Sequence, residues 1–248
     1  GYATSAGLNG PTYLWGDSNG NYFYFVDRFN YRVRRINRAT NIITTIAGST
    51  TASVVPGTGD GGSATSATFG SPYGMYGDSV GKLYICDFGD NKIRMIDMAT
   101  GIINTLVGSG IAGYSSSGTS LTSAKLNNPR DVWVNSQGDI FIADIGNCVV
   151  RIINLIQNTI NNVVGNGICS SLLNFASPAT SVAFVAFVHL SGDTAGNLYM
   201  ATSSSPSYIV TISTTTPSNA KLMLFAGNGT SLAYDNINAT AIRLDSST

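Results

Sequence analysis

Thr65-Ser66-Ala67-Thr68-Phe69-Gly70-Ser71-Pro72-Tyr73-Gly74-Met75, with the strand that follows it, Gly81-Lys82-Leu83-Tyr84-Ile85-Cys86-Asp87, returns in altered form along the whole chain. The opening triplet recurs as Thr4-Ser5-Ala6, Thr122-Ser123-Ala124, Thr180-Ser181-Val182 and Thr240-Ala241-Ile242, roughly 60 residues apart each time. Self-similarity at a fixed period is the signature of a repeat architecture. The phase extends between the markers. Pro11, Pro72 and Pro129 occupy one position, with Phe187 in the fourth place. Asp17, Asp78, Asn135 and Asp193 come next, each followed by a turn glycine, Gly20, Gly81, Gly138 or Gly196. Apolar runs then cover 22–26, 83–86, 140–143 and 198–201. Asp27, Asp87 and Asp144 close the first three of these, with Asn30, Asp90 and Asn147 three residues on. A third run follows, and a fourth ends at Ala47-Gly48, Val107-Gly108, Val164-Gly165 and Ala226-Gly227.

Four short runs divided by Gly, Asn and Asp turns describe one antiparallel sheet. No sustained helical period competes with them. Runs such as Leu83-Tyr84-Ile85-Cys86 are apolar on both faces, as a sheet between two neighbouring sheets requires. The expected fold is all-β: a β-propeller of four-stranded antiparallel blades, sixteen strands in four blades at about 8–64, 69–121, 126–179 and 184–239, a single propeller over 1–248. Closure of four blades by themselves, as part of a larger ring, or with another copy all remain open, and the last predicts self-association through the terminal blades.

Phe69-Gly70-Ser71-Pro72-Tyr73-Gly74-Met75, the strand 81–87 and Asp90-Asn91-Lys92-Ile93-Arg94 resemble the NHL repeat. Leu126-Asn127-Asn128-Pro129, the strand 138–144 and Gly146-Asn147-Cys148-Val149-Val150-Arg151 resemble it equally. The fourth blade departs from the pattern, with Phe187 for the proline and Thr202 for the aspartate. The resemblance implies a propeller that usually has six blades and commonly serves as a non-catalytic scaffold binding protein. It also implies an alternative, since some propellers of this kind are metal-dependent lyases or hydrolases. Those similar to the peptide-amidating lyase hold zinc with several histidines.

Composition narrows the function. Lys and Arg number 13 against 13 acidic residues, all of them aspartate, for a net charge of +0. That balance gives no attraction to nucleic acid or an anionic membrane. No apolar run approaches the roughly 18 residues of a membrane span, so no membrane insertion is expected. One histidine, His189, and no glutamate cannot supply a multi-histidine zinc shell, and no cofactor is expected. A calcium site of Asp and Asn stays open. No Gly-x-Ser-x-Gly elbow or phosphate loop occurs.

Asp27, Asp87 and Asp144 read as scaffold, each carboxylate accepting backbone N–H groups in the turn after the second strand. Arg28, Arg32, Arg34, Arg35 and Arg38 read as solvated surface of blade one, with an anionic glycan or a partner's acidic loop as the alternative. Two residues beyond the repeat proline, Tyr13, Asp131 and His189 stand where blade two has Gly74. They form a candidate binding ring at one mouth of the propeller. Cys148 at the start of strand three and Cys169 just past strand four of blade three are expected at one end of the same sheet, in reach of a disulfide. Asn228 and Asn238 begin glycosylation sequons. Taken together these features predict a secreted or extracellular, non-catalytic binding or structural module with protein or glycan partners, the metal-dependent propeller enzyme being the alternative.

Overall fold

The computed structural model describes residues 1–50, 57–170, 177–184, 187–202, 208–213 and 221–226. Each blade uses the same turn between its first two strands. Asp17 Oδ1 accepts the Tyr22 amide at 3.0 Å, and Asp78 Oδ1 accepts that of Lys82 at 2.8 Å. Asn135 Oδ1 takes the Asp139 amide at 2.8 Å, and Asp193 Oδ1 the Asn197 amide at 2.9 Å. Short side-chain carbonyls that capture nearby backbone are the reason Asp and Asn favour turns. The turn glycines, Gly20, Gly81, Gly138 and Gly196, have φ between 66° and 87°, where a side chain is disfavoured.

Blade one is β1 (Pro11–Gly16), β2 (Tyr22–Asp27), β3 (Arg32–Asn37) and β4 (Ile42–Ala47). Blade two is β5 (Gly62–Ser63), β6 (Pro72–Gly77), β7 (Lys82–Asp87), β8 (Lys92–Asp97) and β9 (Ile102–Val107). Next in the chain come β10 (Thr119–Ser120), β11 (Pro129–Val134), β12 (Ile140–Asp144), β13 (Val149–Asn154) and β14 (Thr159–Val164). Blade four is β15 (Phe187–Gly192), β16 (Asn197–Thr202), β17 (Ile209–Ser213) and β18 (Met223–Ala226). The fold is an all-β propeller of four antiparallel blades. Among the described residues, helical backbone is confined to three-residue 3-10 turns, among them Ala64–Ser66 and Ala179–Ser181 in the Thr-Ser links between blades.

The chain divides into two compact units, 1–115 with 120–134, and 116–119 with 135–248. In the first, the sheets run β1-β2-β3-β4 and β5-β9-β8-β7-β6. Val26, Val33, Ala47, Phe69, Leu83 and Ile85 are buried together between them, each large one contributing about 1.5–3 kcal/mol. β7 is buried on both faces, from Leu83 to Cys86. Blade one is less covered than blade two: Leu14 of β1 is 70% exposed, while Met75, at the same place in β6, is 3% exposed. The inner strands β1, β6 and β11 approach closely because β6 carries glycine at both contacts. A Cβ on Gly77 would lie 2.5 Å from the Trp15 ring, and one on Gly74 would lie 2.2 Å from the Arg130 carbonyl oxygen.

In the second unit β12, β13 and β14 pair in antiparallel register, with Ile142 opposite Arg151 and Ile153 opposite Ile160. Blade four keeps the order β15-β16-β17-β18 despite its departures from the repeat. Phe187, in the proline position, is fully buried with its ring 5.3 Å from that of Phe184. Thr202, in the aspartate position, accepts the Tyr208 amide at 2.8 Å. Cys148 and Cys169 form the expected disulfide, their Cα atoms 5.3 Å apart, which ties the turn before β13 to the link after β14.

Candidate functional site

The blade-closing aspartates face inward and meet an arginine seven residues on. Asp27 Oδ1 accepts the Asn9 amide at 2.8 Å, and its Oδ2 lies 3.5 Å from Arg34. Asp87 Oδ1 accepts the Gly70 amide at 2.9 Å, and Arg94 stands 4.0 Å from Oδ2. Asp144 and Arg151 pair at 3.2 Å, both fully buried. These are scaffold contacts. Arg34 is therefore not solvated surface: its side chain is 12% exposed and belongs to the buried row with Arg94 and Arg151.

At the opening ends of the inner strands the chain makes a different arrangement. The register of β1 shifts between Thr12 and Leu14, so Tyr13 is the extra residue of a bulge, at φ 44°. Bulges re-aim side chains, and here the Tyr13 hydroxyl donates to the carboxylate of Asp131 in β11. Asp131 is 2% exposed and also accepts the Val132 amide at 2.9 Å. Burial first, and then the Asp131 carboxylate, push the Tyr13 phenol far above its ordinary pKa. The thiol of Cys86, wholly buried beside this pair, is raised in the same way by burial and by Asp131. Gly74 leaves the room between β6 and β11 in which this cluster fits. A cavity of about 270 Å³ adjoins Tyr13, lined also by Leu8, Leu14 and Phe25.

Beside the pair lies a cluster that the sequence did not reveal. The guanidinium of Arg28 stacks on the Tyr73 ring at 4.5 Å from its centroid, and that of Arg130 at 4.7 Å. Arg130 Nη2 donates to the Tyr73 hydroxyl at 2.7 Å, and Arg28 Nε donates to Ser71 Oγ at 3.2 Å. Tyr73 meets the Tyr13 ring edge-on at 5.9 Å. The available signal was that Tyr73 and Arg130 each follow a repeat proline directly.

Of the three mouth residues, the structure joins Tyr13 and Asp131. His189 is exposed on β15 in the second unit, opposite Ala201. Among the described residues, no three His, Cys or Asp side chains gather where they would hold a metal ion. The donors present thus do not fit the metal that the alternative reading requires. Asn228 and Asn238 lie outside the described residues.

No protein-family model matches the chain. It is 30% identical over 101 residues to NHL repeat-containing protein 2 of Bos taurus, covering 40% of this chain and 13% of that protein. Among solved structures it is similar to virginiamycin B lyase from Staphylococcus aureus, with a TM-score of 0.52, 16% identity, and coverage of 86% of this chain and 54% of the other. It is also similar to the gluconolactonase XC5397 from Xanthomonas campestris, with a TM-score of 0.55, 15% identity, and coverage of 89% and 63%. The chain spans less than two thirds of the length of each. These matches bear out the resemblance to NHL-repeat propellers and establish the fold. The two solved propellers also overturn the expectation of a non-catalytic binding or structural module, since they are a lyase and a gluconolactonase.

Proposed function

We propose that this chain forms part of a propeller enzyme that cleaves its substrate as a lyase or a hydrolase. The observation that carries this reading is the buried Tyr13–Asp131 hydrogen bond at the opening ends of three inner strands. Asp131 is covered while Tyr13 is only partly buried, so the phenol oxygen receives the proton of substrate or water while its own proton passes to Asp131. Burial and the Asp131 carboxylate both disfavour a free phenolate, so Tyr13 gains one proton as it gives up the other. A proton taken from carbon leads to elimination, and one taken from water leads to hydrolysis of an ester or lactone. The pair itself supplies both. The metal assigned to such enzymes finds no donor set among the described residues, and no step here is routed through one.

Gluconolactone and virginiamycin B are the first probes, being the substrates that the similar gluconolactonase and virginiamycin B lyase are named for. Turnover in water enriched in oxygen-18 separates the reactions: hydrolysis carries the label into product, while elimination leaves an unlabelled alkene. A folded chain that turns over neither probe above the buffer rate would count against the proposal.

The disulfide and the Ser, Thr and Asn content support an extracellular location with glycan at Asn228 or Asn238. Intact mass before and after glycosidase treatment of protein from a secreting eukaryotic host tests this. The apolar outer face of blade one, centred on Leu14, supports a further blade seated there, from the same protein or a second copy. If a second copy supplies it, Leu14→Asp lowers the sedimenting mass. An unchanged monomer in wild type and variant opposes that source.

A further inference from the structure

We infer that Arg28, Tyr73 and Arg130 form a binding site for an oxyanion, a carboxylate or phosphate carried by the ligand. Both guanidiniums stack within 5 Å of the centroid of one tyrosine ring. Two like charges held against the same small ring repel each other. Among the described residues, neither has a carboxylate within ion-pair distance. The paired arginines are Arg34, Arg94 and Arg151 instead. Asp131, next in sequence to Arg130, spends its carboxylate on the Tyr13 hydroxyl and the Val132 amide. Arg130 Nε is buried and has no hydrogen-bond partner, which carries a cost unless a ligand supplies an acceptor.

The stack also fixes the two forks. Arg28 is held by Ser71 Oγ, with its guanidinium near Phe29 and Phe88 as well. Arg130 is held by the Tyr73 hydroxyl. Arginines pre-ordered on an aromatic face lose little freedom when they bind a planar or tetrahedral oxyanion, and charge-assisted N–H bonds to such groups are the strong ones. All of these residues lie in the first compact unit. The contact between the Tyr73 and Tyr13 rings puts the anion beside the Tyr13–Asp131 pair. Calling the anion part of a substrate rests on the lyase or hydrolase reading, and anion binding itself does not.

The test is titration of the folded chain with gluconate, acetate and inorganic phosphate against chloride at constant ionic strength. Tm and heat of binding are followed. The expected result is saturable binding of at least one oxyanion, with a Tm that rises and levels off. Arg28→Gln and Arg130→Gln should each weaken it about tenfold or more, while Asp131→Asn binds as tightly or more tightly. Gluconate or acetate binding without phosphate assigns a carboxylate, and tighter phosphate assigns a phosphoryl group. A linear, chloride-like response that both arginine variants share would overturn the site. If Arg130→Gln fails to fold, Arg28→Gln alone decides. Saturable binding by a wild-type chain that turns over no probe sinks the catalytic reading and leaves this one standing.

Discussion

Asp144 and Arg151, seven residues apart in sequence, form an ion pair at 3.2 Å with both side chains fully buried. Arg151 also donates to Asn162 Oδ1 at 2.6 Å, and Asn147 to Asp144 at 2.8 Å, so the charges sit in a bonded network. Removing one partner of such a pair leaves a buried charge uncompensated and costs about 3–5 kcal/mol. Arg151→Met is therefore expected to lower stability by about that amount in urea unfolding. Arg34→Met should cost less, because its pair is 3.5 Å long and partly exposed. Equal losses would show that burial does not set the cost.

Blade two differs from its neighbours at one atom. Where Asn30 and Asn147 donate to the blade aspartate, blade two has Asp90. Burial, and next the Asp90 carboxylate, push the Asp87 carboxyl up to about 8, and its Oδ2 has no hydrogen-bond partner. A folded pKa above the unfolded value means that the folded state holds the proton more tightly. The resulting stability is complete below about pH 4, declines as pH rises towards 8, and is gone above it. Asp90→Asn supplies the amide of the other blades and can still accept the Gly57 amide, now 2.7 Å from Asp90. It should raise stability by about 1 kcal/mol at pH 8.5, and by less at pH 5. A gain that grows as pH falls would refute this account of Asp87.

Sixteen of the strands and the disulfide were legible in the sequence because turn chemistry repeats at fixed positions: Asp17, Asp78, Asn135 and Asp193 all do one job with one glycine partner each. The two-residue strands β5 and β10, which give two sheets a fifth strand, were not expected. The buried arginines carried a spacing signal that the sequence reading did not use: Arg34, Arg94 and Arg151 each stand seven residues after a blade aspartate. Blade one hid this by crowding Arg34 among four other arginines on an alternating strand. Tyr13 and Asp131 stood out as departures from Gly74, yet their pairing depends on a bulge and on adjacent inner strands, which no spacing along the chain encodes. The Arg28–Tyr73–Arg130 stack draws on three separate strands and turns, and on no repeat of residue type, so no periodic pattern marks it.

The bond between Cys148 and Cys169 closes a loop between residues 21 apart in sequence. A cross-link of that length restricts the unfolded chain by about 3 kcal/mol. Dithiothreitol should lower the Tm of the wild type but not that of the Cys148→Ala, Cys169→Ala double variant. Cys86, the remaining thiol, is buried and should resist alkylation until the chain unfolds. Rapid labelling of Cys86 in the folded state would contradict its placement in β7.

If Tyr13 and Asp131 act as one proton-transferring unit, the turnover rates of the full chain and its variants on whichever probe it accepts will show it. Asp131→Asn and Tyr13→Phe should each lower kcat by about a hundredfold or more, and the double variant should be little worse than either alone, as expected of residues that work together. Variants that stay folded and keep wild-type kcat would contradict the claim.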